Sequence, residues 1–312
     1  MKLVSFVIPC YRSANTIGGV VQEINQTMAA MPEYEHEIVL VNDCSPDNTF
    51  QVLKELAAAH SNITAVDLAK NFGQHAAIMS GLSHTSGDYV VCLDDDGQTP
   101  ADEVGKLLAK LEEGYDVAYA SYGDHKQHSS FRNFGSRVNG KMTEIMLGKP
   151  HDLSLTSYFA AQRFIVGEML RYENCFPYVM GLVLRSTKNI CNVPVNHRQR
   201  EQGRSGYNLG KLLSLWMNGF TSFSIKPLRL ATYVGSITAI IGFIYAIIIV
   251  IRYFTVHLAP MGWSSTTALL LIVGGIILLV QGLVGEYVGR IFMCVNASPQ
   301  YVERSVVKSK ED

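Results

Sequence analysis

The 312-residue sequence is short of several features that mark common protein classes. Its net charge is -1, so it lacks the basic surplus of a general nucleic-acid binder, and no nucleic-acid partner is expected. The six cysteines (Cys10, Cys44, Cys92, Cys175, Cys191 and Cys294) contain no CxxC spacing. Cys10 and Cys92 lie at the ends of apolar runs, which fits reduced, mostly buried thiols in a cytosolic compartment. No His/Cys pair sits at ligand spacing, and His75 and His84 are nine apart, so zinc is not expected. Neither GxGxxG nor a P-loop follows the first strand-like run, which removes the common NAD and ATP folds. No serine has G-x-S-x-G context, so hydrolase chemistry lacks a nucleophile signal. The opening MKLVSFVIPCYR has neither the length nor the cleavage site of a signal peptide, and a head made in the cytosol is expected. Acidic residues are nearly missing between Glu173 and Glu286. Glu201 stands alone there against Arg185, Lys188, Arg198, Arg200, Arg204, Lys211, Lys226, Arg229 and Arg252.

What is present is a strand-then-helix rhythm over the first 120 residues or so. Strands are predicted at Leu3–Ile8, Glu37–Val41, Ile63–Asp67, Asp88–Leu93 and Asp116–Ala120. Helices are predicted near Thr16–Ala30, Thr49–Ala59, Gln74–Leu82 and Ala101–Leu111. Short Val/Ile/Leu-rich strands separated by amphipathic helices predict an α/β fold with a mostly parallel sheet covered on both faces. Ligands of such sheets bind beyond the carboxyl ends of the strands. The polar clusters Pro9–Ser13, Asn42–Asn48, Lys70–Gln74 and Asp94–Gln98 all fall there.

Asp94 and Asp96 are two apart, so in an extended segment they share one side while Asp95 faces the other. Two convergent carboxylates beside Gly97 make a hard oxygen site for Mg²⁺ or Mn²⁺. A diphosphate leaving group needs such a cation. The bland alternative is a solvated acidic turn, although three adjacent carboxylates repel unless something compensates them. Asp43, just after the second strand, has two readings: an acceptor for a nucleobase or ribose, or a turn-forming Asp.

Leu230–Ile251 is a run of 22 uncharged residues and Thr266–Gly285 a run of 20. The first is about 33 Å long if helical, so each run can span a bilayer. Lys226 and Arg229 precede the first run, while Arg290, Arg304, Lys308 and Lys310 follow the second. Only Arg252 marks the connection, so the charge bias puts head and tail in the cytoplasm. Asn208–Ser224 gathers Leu209, Leu212, Leu213, Trp216 and Phe220 at helical spacing, the pattern of an interfacial amphipathic helix. The expected organisation is a head at 1–200, a donor-closing segment with the interfacial helix at 201–229, and spans at 230–251 and 266–285. A short loop at 252–265 and a tail at 286–312 complete it.

Six motifs carry a resemblance over essentially the whole chain: VIPCYRS (7–13), EIVLVNDCSPDNT (37–49), KNFGQHAAIMSG (70–81), GDYVVCLDDDGQTP (87–100), REQGRSGY (200–207) and GLVGEYVGRI (282–291). The sequence resembles bacterial family 2 glycosyltransferases of the polyprenyl-phosphate type, which carry a GT-A (Rossmann-like) head. The resemblance implies metal-dependent, inverting transfer of a sugar from a nucleotide diphosphate sugar to undecaprenyl or another polyprenyl phosphate. It implies a homo-oligomer in the lipid bilayer of the bacterial cytoplasmic membrane. By the same resemblance, Pro9, Tyr11 and Asp43 frame the nucleoside, and Lys70 belongs to the nucleotide-sugar site. Asp94, Asp96 and Gln98 hold the metal and diphosphate. Arg200, Ser205 and Tyr207 close over the donor, and Arg132, with Lys126 near it, faces the lipid phosphate.

The sequence departs from the family at four places. Arg12-Ser13 replaces Asn-Glu, and Gly123-Asp124 stands where many members have arginine. The arginine common near the short aromatic motif is absent around Phe159. GxSKY becomes Gly203-Arg204-Ser205-Gly206-Tyr207. Two rival readings are a processive polysaccharide synthase, for which QxxRW and further spans are missing, and a silent membrane-bound nucleotide-sugar binder.

Overall fold

The computed structural model describes residues 1–122, 144, 149–196, 226–256 and 262–308. It divides into two compact units, Met1–Leu213 with Ala297–Asp312, and Ser214–Asn296.

The first unit is a three-layer α/β structure. Its elements in chain order begin with β1 (Lys2–Cys10), α1 (Ile17–Ala29), β2 (Tyr34–Asn42), α2 (Thr49–Ala59), β3 (Ile63–Leu68), α3 (Gln74–Ser83) and β4 (Tyr89–Cys92). A 3₁₀ turn at Ala101–Glu103 then leads into α4 (Val104–Glu112) and β5 (Val117–Tyr122). β6 (Phe159–Gln162), α5 (Arg163–Leu170), α6 (Val179–Ser186) and β7 (Ile190–Val195) follow, and β8 (Glu303–Lys308) returns from the far end of the chain. All five expected strands and all four expected helices form.

Eight strands run in the order β7-β5-β6-β4-β1-β2-β3-β8. The block β3-β2-β1-β4 is parallel throughout. Outside it the sheet is mixed. β6 enters antiparallel between β4 and β5, and β8 adds antiparallel to the outer edge of β3. The fifth strand therefore does not extend the parallel block directly. Its neighbour comes from later sequence, which local periodicity does not reveal. β1 is buried from Val4 to Cys10 because helices cover both faces, which explains its continuous apolar run. Gly81 allows α3 to lie close to the sheet, since a Cβ there would strike the Val7 side chain. All six cysteines are free, with Cys10 and Cys92 fully buried.

The second unit holds two long helices in contact, α7 (Lys226–Val256) and α8 (Trp263–Val295). Among the described residues one stretch, Ile272–Val295, is long and apolar enough to cross a membrane, with 24 residues and mean hydropathy 1.7. Ala231–Tyr245 in α7 is apolar over a shorter run. Two spans, 230–251 and 266–285, are predicted from the sequence. Within the observed stretch Glu286 and Arg290 do not end the helix. They pair with each other one turn apart at 2.7 Å, which keeps the charged turn helical.

Candidate active site

In the parallel block the strand order reverses between β1 and β4, and a crevice opens beyond their carboxyl ends at such a switch point. Four loops line it, one after each of the strands β1 to β4. They are tied to one another by short hydrogen bonds.

The loops after β1 and β2 both open on residues in the left-handed region, Arg12 at φ 61° and Cys44 at φ 48°. Side chains with a Cβ visit this region sparsely, so surrounding contacts must hold it. They do: the Arg12 N–H donates to Ser45 Oγ at 2.7 Å, and the Ser13 N–H to Thr49 Oγ1 at 2.9 Å. Tyr11 is left exposed with the Arg12 guanidinium over its ring, 5.6 Å from the centroid. Pro9 lies within β1, buried and in register with Val41.

Asp43 is buried, and both its oxygens are engaged. Phe72 N–H donates to Oδ1 at 2.7 Å and Gly73 N–H to Oδ2 at 2.9 Å. Burial pushes its carboxyl above the usual range, and these two donors oppose the rise. Through these long-range contacts Asp43 fixes the loop after β3. Gly73, at φ 90°, turns that loop into α3. Lys70 is exposed on the loop, with its ammonium 4.8 Å from the Phe72 ring centroid.

Asp94, Asp95 and Asp96 follow β4, and Gly97 at φ 72° turns the chain behind them. Their side chains have different partners. Asp94 accepts from Gln74 Nε2 at 2.9 Å and from the Ser157 hydroxyl. Asp95 reaches back across the crevice to the Tyr11 N–H, at 3.0 Å, and to the Ser13 hydroxyl. Asp96 accepts the Gln98 N–H at 3.1 Å, closing the turn on itself. Burial pushes the Asp94 carboxyl up to about 6, against the Ser157 hydrogen bond, and the neighbouring charges of Asp96 and Asp95 add to the rise. Asp95 is raised by burial as well, opposed by Ser13 and Tyr11.

These residues fit a divalent cation. The side-chain partners of Asp94 and the partners of Asp95 named above are neutral donors, so negative charge accumulates beside the crevice. Among the described residues no three His, Cys, Asp or Glu side chains converge into a ready-made metal cage. Mg²⁺ commonly takes one or two carboxylates and shares the rest of its shell with substrate phosphates and water. His75 packs edge-on against Tyr178 with centroids 5.0 Å apart, and burial lowers its pKa to about 4, whereas His84 sits 3.0 Å from Glu303.

Sequence reasoning passed over Ser13, Gln74, Asp95 and Ser157, which orient the acidic turn. Ser13, Gln74 and Asp95 lie inside the motifs at 7–13, 70–81 and 87–100, but their partners are distant in sequence. Arg132, Lys126, Arg200, Ser205 and Tyr207 lie outside the described residues, as does the amphipathic segment 208–224.

The family described as glycosyl transferase family 2 matches residues 5–169, more than half of the chain. The chain belongs to glycosyl transferase family 2. It is therefore a glycosyltransferase, and the match covers the crevice and all four of its loops. A second family, described as the GtrB C-terminal hairpin, matches residues 226–291. Among solved structures, the chain is similar to mannosyl-3-phosphoglycerate synthase from Rubrobacter xylanophilus at 20% identity and TM-score 0.48, covering 70% of this chain and 71% of that one. It is similar to the UDP complex of glucosyl-3-phosphoglycerate synthase from Mycobacterium tuberculosis at 18% identity and TM-score 0.49, covering 68% and 75%. A mannosyltransferase from Pyrobaculum calidifontis, with GDP-Man and Mn²⁺, matches at 17% identity and TM-score 0.44, covering 76% and 63%.

Proposed function

We propose that this glycosyltransferase moves a sugar from a nucleotide diphosphate, UDP-linked, onto undecaprenyl or another polyprenyl phosphate at a membrane surface. The observation that carries the reading is an acidic turn, Asp94–Asp96, at the switch point of a nucleotide-type sheet in a chain that continues into an apolar helical hairpin. The whole-chain resemblance of the sequence to polyprenyl-phosphate transferases, together with the hairpin match at 226–291, supports the lipid acceptor. A bilayer-embedded acceptor explains why a sugar-transfer head should carry such a hairpin at all.

In this reading Tyr11 and the Asp43-held loop, with Lys70, frame the nucleoside, while Asp94, Asp96 and Gln98 hold Mg²⁺ or Mn²⁺ and the diphosphate. A bound cation supplies neutralisation of the charge that develops on the leaving diphosphate. Gln74 and Ser157 aim the Asp94 carboxylate, and Asp95 keeps the β1 loop in register with the acidic turn. The acceptor is a phosphate monoester with a second pKa near 6, so its dianion is abundant at neutral pH. It does not require the strong base that an alcohol acceptor needs. Arg132, with Lys126, receives that phosphate and offsets its repulsion from the donor. One phosphate oxygen bonds to the anomeric carbon as the bond to the diphosphate oxygen breaks, so configuration inverts. Arg200, Ser205 and Tyr207 close over the donor. Two spans, 230–251 and 266–285, put both termini on the cytoplasmic face and 252–265 on the other.

The test is a donor panel. Purified protein with undecaprenyl phosphate and Mg²⁺ or Mn²⁺ is offered UDP-, GDP-, CDP- and dTDP-sugars, and lipid-linked product is measured. Transfer from a UDP-sugar is expected. Preference for a GDP-sugar overturns the donor assignment, and transfer only to water or soluble acceptors overturns the lipid.

A further inference from the structure

The last strand has no role in the reading above, yet its contacts converge on the donor loop. β8 follows α8 after the segment 296–302 and closes the outer edge of β3. An uncovered β3 would present unpaired backbone groups, so some edge protection is expected of any such strand. The side chains here do more than that. Gln300 Nε2 donates to the carbonyls of Tyr172 and Asn174, both at 3.0 Å. Glu303 accepts from Ser80 Oγ of α3 at 2.8 Å and lies 3.0 Å from Nε2 of His84, just past the end of α3. Ala69 N–H donates to the Val302 carbonyl at 2.8 Å.

Arg304 makes the most specific of these contacts. Its Nη1 is 3.1 Å from Asp67 Oδ2, and its Nη2 donates to the Ala69 carbonyl at 2.9 Å. Asp67 is buried, and its other oxygen accepts from Asn42 Nδ2 at 2.7 Å. Asn42 Oδ1 in turn accepts the Ser45 N–H at 3.2 Å. The guanidinium therefore holds Ala69, where the loop after β3 begins. Asp43 holds Phe72 and Gly73, where the loop ends, and the next residue, Gln74, reaches Asp94. The planar fork of arginine serves a carboxylate and a carbonyl at once, which one ammonium does in poorer geometry.

We infer that Arg304 is a positioning residue for the donor loop 69–74, acting through Asp67 and the Ala69 carbonyl. The function rests on the donor-site reading above; the positioning itself does not. A C-terminal segment that reads as a charged tail is then a working part of the head.

The experiment compares wild type, Arg304→Ala, Arg304→Lys and Val306→Thr in the full-length protein in detergent or nanodiscs. Val306 is an exposed residue on the same strand and has no part in the donor loop. Amide hydrogen exchange is measured on peptides covering 63–83 and 34–42 without ligand, and UDP binding with Mn²⁺ is measured by calorimetry. In Arg304→Ala, exchange at 69–74 should rise about tenfold, the scale of one charge-assisted hydrogen bond, with 34–42 unchanged. UDP affinity should fall by a similar factor while kcat stays within about twofold, the split expected of a group acting on donor binding. Arg304→Lys should lie between, and Val306→Thr should match wild type. Unchanged exchange at 69–74 overturns the inference, and so does an equal rise along all of β3, which means simple loss of the strand. If Arg304→Ala does not fold, Arg304→Lys carries the same comparison. Failure of wild type to bind UDP refutes the UDP-donor assignment, and the exchange data still decide the role of Arg304.

Discussion

Aliphatic side chains of the same types meet opposite fates in the two units. In the head, Ile8, Leu40, Leu53 and Leu68 are wholly buried between sheet and helices. In the hairpin, Ile240, Leu270 and Leu279 face outward, and Leu278 is 73% exposed. The head shows how a soluble core is made: apolar faces of α1, α2 and α4 cover a sheet whose strands are apolar on both sides. In the hairpin, apolar residues occur all round the helices. A helix apolar on every face belongs in a protein core or a bilayer. Among the described residues Ile272–Val295 is long and apolar enough to cross a membrane, and in the proposed reading that unit sits in hydrocarbon while the head sits in water. The described loops of the crevice all belong to the head.

The comparison breaks first at the acidic turn, where the largest effect is expected. Asp94→Asn or Asp96→Asn should lower transfer by about 10²–10³-fold, the scale seen when one electrostatic stabiliser of a developing charge is removed. Steady-state kinetics on protein with an unchanged melting profile checks this, and undiminished turnover refutes the metal role. Next, Leu53→Ala in the head should cost about 2–5 kcal/mol of stability through loss of contacts and cavity formation. Leu278→Ala, at a side chain 73% exposed among the described residues, should leave the head's denaturant midpoint in place. Leu278→Arg should instead impair membrane insertion, at a cost of about 2.5–3.5 kcal/mol. Carbonate extraction of membranes separates the two: a Leu278→Arg protein that stays fully embedded contradicts the bilayer reading.

Much of this architecture was legible because it is locally written. The apolar runs at Leu3–Ile8 and Glu37–Val41 and the helical pattern at Thr49–Ala59 gave elements whose observed counterparts differ by a few residues at most. The acidic turn was legible because Asp94–Gly97 directly follows a buried strand. Non-local pairings were not legible. β6 is four residues long, and β8 reads ERSVVK, with three charged residues that suggest a tail. Its charges find their partners at Asp67, Ser80 and His84, more than two hundred residues away. The left-handed backbone at Arg12 and Cys44 was hidden too, because neither residue type favours it.

A smaller effect sharpens the account of the nucleoside side. Asp43→Ala removes the acceptor for Phe72 and Gly73 N–H, which should cost about 1–3 kcal/mol and loosen the loop after β3. Thermal unfolding together with UDP titration checks it, and a neutral outcome means the loop is held elsewhere. The smallest concerns pH. Burial raises the metal-free Asp94 pKa to about 6. A cation binds the ionised carboxylate, so binding must displace a proton below that pH. Mn²⁺ affinity should be flat above about pH 7 and fall by up to about tenfold per unit below 6. The metal-free fold shows the opposite trend at this group. Its folded pKa lies above the unfolded one, so the cost of burying the ionised form is present above 6 and is relieved as pH falls through it. Mn²⁺ titrations between pH 5 and 8 test the first trend, and affinity that does not change with pH contradicts it.

The central claim is direct transfer from a nucleotide sugar to a lipid phosphate. It is tested most directly by the anomeric configuration of the lipid-linked product, read by NMR after reaction of an α-linked UDP-sugar with undecaprenyl phosphate. A single displacement at the anomeric carbon predicts a β-linked sugar phosphate. An α-linked product would contradict the account.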